Sequence, residues 1–270
     1  MIMGKKKAIR LTIILSLLFT VGFVPIFLLY VGTKKSGIDL QSALHGEWTL
    51  EPFIRLFSGL SDSEISFRES LPRSVAYATI VALFSSFLAF FYVNWATGWT
   101  RKAAISMSFT LLCLTLMPQT YFVMPALVFI QKLPFSLPKS FTIVLSILFG
   151  VLPLASWILY MMSSRKIAEL QEMCALDRLG SVHSWVRIFN EIRVDMILVF
   201  LLSWSIAWGN YLVPYSLGSR DSFTSVVQIT TFTSNLGRDW AMICAAGFIV
   251  CIPGVIIGSV LVGVFFRKDQ

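Results

Sequence analysis

The side chains best suited to chemistry in this sequence are amides and aromatic rings that lie within long apolar runs. Polar groups in such runs usually face other helices or a pathway for a polar solute. Aromatic faces stack on the C–H faces of a sugar and amides hydrogen-bond to its hydroxyls, so this combination suits a sugar. Helix packing and anchoring at a membrane surface are the alternatives for each residue taken singly. The candidates are Asn94, Gln119, Tyr121, Trp204, Trp208, Asn210 and Tyr211.

A second kind of chemistry, contact with another protein, is indicated by the polar segment 163–195 between two apolar runs. Its first part has helical periodicity with one apolar face. That face contains Ile167, Leu170, Met173 and Cys174. Gly180 is predicted to end this helix in a left-handed conformation, and residues 185–193 form a second helical stretch. Two short helices at a bend form a projection that fits a groove on a partner. A solvated connecting loop is the alternative.

Several kinds of chemistry have no motif in the sequence. It lacks the GxxxxGK[ST] loop that cradles nucleotide phosphates, and it lacks GxSxG and HExxH. The two histidines are far apart, the four cysteines form no CxxC, and no metal-ligand cluster is evident. The apolar runs contain no Lys, Arg, Asp or Glu, whereas many self-powered transporters keep an ionisable residue at mid-membrane. We therefore expect no cofactor or metal on this chain and no enzymatic activity, and any transport must draw its energy from a partner.

The composition indicates that these residues lie in a membrane. Of 270 residues, 56% are hydrophobic and only 13% are charged, and the mean hydropathy is +0.78; soluble domains are about 25% charged. A helix needs about 20 apolar residues to cross the bilayer. Six such runs predict an all-α bundle of six transmembrane helices in a single domain over residues 1–270. The predicted spans are about 11–31, 74–95, 104–130, 141–162, 196–217 and 241–266.

The basic residues predict the orientation of these spans. With the N-terminus inside, the inside segments carry basic residues at about twice the density of the outside segments. Both termini are therefore predicted to be cytoplasmic, and the net charge of +8 reports topology, so no nucleic-acid partner is expected. The first run resembles a signal peptide in its basic flank, but it is longer than the 7–15 apolar residues typical of a cleaved signal.

The first outside segment, 32–73, is long and partly amphipathic. Its apolar residues are predicted to lie along the membrane surface on a short helix. They are Trp48, Leu50, Phe53, Ile54 and Phe57.

The polar segment 163–195 resembles the EAA motif of permease subunits of bacterial ATP-binding-cassette (ABC) importers. That pattern is roughly E-A-A-x-x-D-G-A followed by F-x-x-I-x-L-P. Glu172 to Asp177 match its first half, Trp185 takes the place of the phenylalanine, and Ile188 that of the isoleucine. The departures are Met173 and Cys174 for the two alanines, Arg178 for the glycine (with Gly180 two residues later), and Asn190 and Glu191 for the leucine and proline.

Other segments extend the resemblance over about residues 45–265, toward the smaller, six-span subunit of maltose-type carbohydrate importers. Residues 48–50 are similar to the family's W-T-L, and Met117-Pro118 to its M-P. Residues 208–214 resemble W-N-E-F-L-x-P, with Gly209 and Asn210 in place of the N-E pair. Asp239-Trp240, followed by two alanines and a later proline, resembles the family's D-W-x-x-x-x-A-A segment.

The resemblance implies a mechanism and a set of partners. Two permease subunits form the pore in the bacterial inner membrane, two ATPase subunits bind ATP and Mg beneath them, and an extracytoplasmic binding protein delivers the solute. The segment 163–195 is then a cytoplasmic coupling loop that contacts the ATPase. Glu172 would make an ionic contact, Met173, Cys174, Ala175 and Leu176 would make apolar contacts, Asp177 completes the acidic motif, and Gly180 would provide the bend.

Alternative functions remain. The same machinery serves permeases for polyamines, ferric iron and other small solutes. A channel or secondary carrier would need its own pathway and usually a coupling residue within a span. A membrane enzyme would need a catalytic constellation, which the sequence does not present.

Overall fold

The computed structural model describes residues 22–35, 46–58, 67–117, 138–234 and 237–268, and residues 121, 125, 128 and 132 singly. The described part is mostly helical, as predicted. Its α-helices are α1 (Val24–Gly32), α2 (Glu51–Ser58), α3 (Phe67–Ala96), α4 (Arg101–Leu116), α5 (Lys139–Leu176), α6 (Ser181–Glu191), α7 (Arg193–Trp208), α8 (Leu212–Leu217), α9 (Ser225–Gln228) and α10 (Trp240–Lys268). Two 3₁₀ turns (Arg220–Ser222 and Ile229–Phe232) and two short antiparallel strands, β1 (Thr233–Ser234) and β2 (Gly237–Arg238), lie between α8 and α10.

The chain divides into two compact units. One contains residues 1–71 and 225–270, and the other contains residues 72–224. In the first, α1, α2 and α10 pack together. In the second, α5 packs against α4, α6 and α7. The organisation of residues 1–270 as one transmembrane domain stays a prediction.

Three helices are long and apolar enough to cross a membrane, judged by length and composition. They are α3, α5 and the Trp240–Val260 part of α10. The predicted spans 74–95 and 141–162 lie wholly within α3 and α5, and α10 contains 241–266. These helices indicate a membrane protein. Six membrane-length helices are not present in the described residues, so the expected number of spans is not shown.

Of the remaining three predicted spans, two extend outside the described residues and one is interrupted. Residues 11–21 lie outside the described residues, and α1 covers only the end of the run 11–31. Within 104–130, α4 ends at Leu116, because Met117 adopts the extended backbone that a following proline favours. Beyond residue 117, this run is described at residues 121, 125 and 128 alone.

The predicted span 196–217 is broken in two. α7 ends at Trp208 and α8 begins at Leu212. Pro214 in α8 has no backbone N–H to donate to Asn210, and its ring would clash with that carbonyl in a continuous helix. The Asn210 side chain instead accepts a hydrogen bond from the Val213 N–H at 3.2 Å. The 16 residues of α7 span only ~24 Å, less than the ~30 Å hydrocarbon core.

α5 is the opposite case, because it is longer than a bilayer requires. Its 38 residues extend ~57 Å as one helix, although the sequence indicated a span at 141–162 and a separate loop helix. If its apolar first part crosses ~30 Å of hydrocarbon, roughly half of the helix must project beyond it. The polar last part of α5, from Ser163 to Leu176, makes up ~21 Å of that length and leads directly into the candidate site.

Candidate functional site

The end of α5 and the whole of α6 form a helical hairpin, here called the α5–α6 hairpin (residues 163–191). Its inner face is apolar and buried: Ile167, Leu170, Cys174 and Ile188 are each at most 6% exposed. Ile167, Leu170 and Cys174 lie on successive turns of α5, which explains the predicted periodicity of the first segment, and Ile188 faces them from α6. The same core continues into α3 and α7. The hairpin is therefore packed onto the helices of its unit and differs from a solvated loop.

Two aromatic contacts join α6 to α3. The rings of Phe90 and Phe189 lie 5.6 Å apart and those of Phe91 and Trp185 lie 5.0 Å apart, both edge to face. Such pairs contribute about 0.5–1.5 kcal/mol each beyond their buried area. They hold α6 against the end of α3.

The bend of the hairpin is made at Arg178. This residue has a positive φ of 52°, in the left-handed region. The Arg178 N–H donates to the Ala175 carbonyl at 3.1 Å, and the Leu179 N–H donates to the Cys174 carbonyl at 3.0 Å. These two bonds and the left-handed residue define a Schellman motif, in which the left-handed place is usually glycine. Arg178 occupies this place here, so the backbone holds a conformation that its side chain disfavours.

The prediction that Gly180 ends α5 in a left-handed conformation is wrong. Gly180 has φ −64° and ψ 153° and precedes α6 as its N-cap residue. Its carbonyl accepts the Ser184 N–H at 3.0 Å. A Cβ placed on Gly180 would meet no atom within 4 Å. The helix turns two residues earlier than expected because the hydrogen-bonded cap closes at Arg178.

An ion pair fastens the two sides of the bend. The Arg187 guanidinium donates to the Asp177 carboxylate at 2.8 Å, and both side chains are about half exposed. At the base, the Ser163 hydroxyl donates to the buried Asp195 carboxylate at 2.9 Å. The Lys166 ammonium donates to the Glu191 carbonyl oxygen and lies 3.9 Å from the Glu191 carboxylate. Both ends of the hairpin are thus closed by polar contacts.

An amide network joins the hairpin to α3. The Gln171 amide donates to the Asn94 carbonyl at 3.0 Å, and the Thr97 hydroxyl lies 3.0 Å from Gln171 Oε1. The Asn94 amide in turn donates to the Phe90 carbonyl at 2.9 Å. Sequence reasoning placed Asn94 with the solute pathway and missed Gln171 and Thr97. The Asn–x–x–Thr spacing at the end of an apolar run could have indicated a polar helix terminus.

The outer face of the hairpin exposes apolar side chains. Leu176 is 83% exposed and Val182 is 74% exposed. Met173, Leu179 and Val186 are further exposed apolar side chains of the hairpin, and Trp185 and Phe189, which contact α3, remain 46% and 42% exposed. Charged residues lie among them, including Glu172 and the Asp177–Arg187 pair. An exposed apolar patch bordered by charge is typical of a surface that contacts another molecule.

The structure places the predicted coupling residues on both faces of the hairpin. Glu172, Met173, Ala175, Leu176, Asp177 and Gly180 are exposed. Cys174 is 2% exposed, so its side chain faces the hairpin interior and does not contribute to the outer surface.

The predicted pathway residues divide between different parts of the second unit. Trp204 and Trp208 stack with ring centroids 5.1 Å apart and planes 10° apart, and Trp204 Nε1 donates to the Thr79 hydroxyl at 3.1 Å. Tyr211 stacks on Tyr215 at 5.1 Å, just beyond the break between α7 and α8.

Asn94 does not belong to this aromatic group. It lies 15 residues after Thr79 on α3, which corresponds to ~22 Å along the helix. Asn210 is buried and its side chain accepts the Val213 N–H in the first turn of α8, whereas Tyr121 is 69% exposed. Gln119 lies outside the described residues. The structure therefore brings together the residues around the α7–α8 break and separates Asn94 from them.

Within the described residues, no group of three or more His, Cys, Asp or Glu side chains could hold a metal ion. Compared with models of protein families and with curated protein sequences, the chain matches none. The structure indicates a class of protein but not a family. The chain is a helical membrane protein in which the longest described helix, α5, ends in a packed helical hairpin.

Proposed function

We propose that this chain is the permease subunit of an ABC importer, embedded in the bacterial inner membrane with six spans and cytoplasmic termini. It forms half of a translocation pathway together with a second permease subunit. Two separate ATPase subunits bind ATP and Mg and supply the energy. An extracytoplasmic binding protein delivers the solute, which we propose is a sugar.

The observation that carries this proposal is the α5–α6 hairpin. It combines an exposed apolar surface around Leu176 and Val182 with a rigidly packed inner face. A partner surface with an apolar groove and a basic rim would complement these side chains together with Glu172. The EAA resemblance of the same residues supports an ATPase as that partner.

The continuity of α5 supports coupling between such a partner and the membrane. One helix of 38 residues joins the apolar part to the hairpin, and the Gln171–Asn94 bond ties the hairpin to α3. A displacement of the hairpin would therefore reach two membrane-length helices, and Pro153 is the one proline within α5 where that helix could bend. Rigid-body rocking of such helices is the usual form of this kind of transition.

The aromatic residues around the α7–α8 break support a sugar as the solute. Two stacked aromatic pairs, Trp204–Trp208 and Tyr211–Tyr215, lie on either side of the interrupted helix. Tyr215 is 55% exposed, whereas Trp208 is buried and the Trp204 N–H is bonded to Thr79, so a solute would meet the tyrosines first. Backbone irregularity at membrane depth is tolerated where it is buried in protein or lines a cavity. The predicted spans contain no Asp or Glu to compensate a polyamine or a ferric ion, which favours a neutral solute.

The test is co-purification followed by reconstitution with the captured ATPase and binding protein in proteoliposomes. Solute-stimulated ATP hydrolysis and uptake are measured across sugars, polyamines and ferric complexes. Glu172→Lys should reduce stimulated hydrolysis at least about tenfold, equivalent to ~1.4 kcal/mol of lost contact. Glu169→Lys is the matched control, because it makes the same change at another exposed glutamate of α5.

Three results would contradict the proposal. Uptake by the chain without an ATPase would indicate a carrier or channel. If ATP hydrolysis and uptake remain fully coupled in Glu172→Lys, the hairpin does not make the proposed contact with the ATPase. If only a polyamine or a ferric complex stimulates ATP hydrolysis, the chain is still an importer subunit but its solute is not a sugar.

A further inference from the structure

We propose that α2 is an interfacial helix whose exposed apolar face contacts the lipid bilayer at one end of α10. The inference concerns the unit formed by residues 1–71 and 225–270, and it does not depend on the transport function.

The packing of α1 on α10 identifies which ends lie together. A Cβ placed on Gly32 would be 2.9 Å from the Ala245 Cα, and one placed on Gly247 would be 3.6 Å from a Leu28 methyl group. The later residue of α1 thus meets the earlier residue of α10, so the two helices run antiparallel. The C-terminal end of α1 and the N-terminal end of α10, at Trp240, consequently lie at the same level.

α2 packs against the first turns of α10. Leu56 of α2 shares a buried cluster with Met242 and Ala245, and the rings of Phe53 and Phe248 lie 6.4 Å apart. Met242 and Phe248 follow Trp240 by two and eight residues, which places α2 ~3–12 Å along α10 from its start. Interfacial helices bury their apolar faces ~5–10 Å into the boundary between headgroups and acyl chains.

The side chains of α2 form three faces. Pro52 and Leu56 are buried against the unit. The next face carries Ile54, which is 64% exposed, and Leu50 and Phe57 lie beside it at helical spacing with 63% and 44% exposure. The remaining face carries Glu51 and Arg55, which form an exposed ion pair at 3.9 Å. Protein, hydrocarbon and water would each meet one face of such a helix.

The segment before α2 has the composition of a membrane interface. The Lys34 ammonium lies 3.9 Å from the Trp48 ring centroid and 5.0 Å from that of Tyr30. The Thr49 N–H donates to the Thr33 carbonyl at 2.9 Å, which fixes Trp48 beside the end of α1. Trp and Tyr are enriched at headgroup level. Lys34 is only 5% exposed, so its ammonium is covered by the two rings in a cation–π contact. This cluster sets the start of α2 at the same level.

The test measures the surroundings of two α2 positions in the full chain reconstituted into phosphatidylcholine–phosphatidylglycerol nanodiscs. Ile54→Cys and Glu51→Cys are each spin-labelled in a background whose four cysteines are replaced by alanine. Collision with lipid-soluble oxygen and with a water-soluble nickel chelate is measured by power saturation. The spin label at position 54 should collide more often with oxygen, and the label at position 51 more often with the nickel chelate. The two positions should therefore give depth parameters of opposite sign.

Two outcomes would overturn the proposal. Equal nickel access at both positions would show that the face meets water, and access by neither reagent at position 54 would show that protein covers it. A diazirine amino acid at position 54 of the chain with its natural cysteines gives an independent reading. Lipid adducts are expected after illumination, and protein adducts alone would contradict the assignment.

Discussion

The bend at Arg178 leads to a quantitative prediction about the α5–α6 hairpin. A left-handed backbone costs an L-residue roughly 1–2 kcal/mol, and Arg178 adopts it with φ 52°. Arg178→Gly removes that cost but increases the entropy of the unfolded chain by about 0.4–1 kcal/mol. The described residues show no ion pair at Arg178, so loss of its charge adds little. The net effect should stabilise the hairpin by about 0.5–1 kcal/mol.

Amide hydrogen exchange of the segment 170–190, followed by mass spectrometry, measures this effect locally. Arg178→Gly should slow exchange by about two- to fivefold, because exchange follows the free energy of local opening. Arg178→Val should accelerate it by about fivefold or more, since a β-branched residue is strained at positive φ. Gly180→Ala is the matched control and should have little effect, because Gly180 has φ −64° and open space around it.

The reverse pattern would refute the reasoning. If Gly180→Ala accelerates exchange and Arg178→Gly does not slow it, then the left-handed residue of the bend is Gly180. The Schellman hydrogen bonds assigned to Arg178 and Leu179 would then be wrong.

Three further changes test other contacts. Gly32→Ala should cost about 1–3 kcal/mol and lower the thermal midpoint, because its Cβ would lie 2.9 Å from the Ala245 Cα. Gly254→Ala, within α10 and with open space around it, should not lower the midpoint, because alanine favours the helix by about 0.5–1 kcal/mol over glycine. Gln171→Leu removes the amide that bonds to α3 and should cost about 1–2 kcal/mol, measured as faster amide exchange in the hairpin. Unchanged exchange would show that the amide network does not stabilise the hairpin. Asp177→Asn should cost at most about 1 kcal/mol, because the pair is half exposed, and 1 M salt should reduce its effect on exchange further.

The helical class and three membrane-length segments could be predicted from the sequence because they depend on local composition. Continuous apolar residues require a helix in lipid whatever their neighbours are, and the predicted runs 74–95 and 141–162 lie within α3 and α5. The amphipathic pattern around Ile54 likewise predicted a short helix, observed as α2. The extent of a helix was less predictable. α4 ends at Leu116 and α7 ends at Trp208 although the apolar runs go on, whereas α5 continues through the polar residues 163–176 without interruption.

The candidate site was also predictable only in part. Periodicity predicted the apolar face of the hairpin, but it could not distinguish a face that packs on its own chain from one that meets a partner. Cys174 is therefore buried although the motif suggested contact, and Asn94 bonds to Gln171, 77 residues away in sequence, although its amide suggested a solute pathway. Such pairings depend on which helices become neighbours.

By itself, the sequence determined that the chain is helical and suited to a membrane, and that the polar segment 163–195 separates two of its apolar runs. Only the tertiary structure decided that the first part of this segment is an extension of α5, and that the chain turns at Arg178 and not at Gly180. The physical reason is that lipid solubility and helix periodicity are properties of neighbouring residues. A left-handed turn at a disfavoured residue persists only where packing of Ile167 against Ile188 and hydrogen bonds across the bend outweigh its cost.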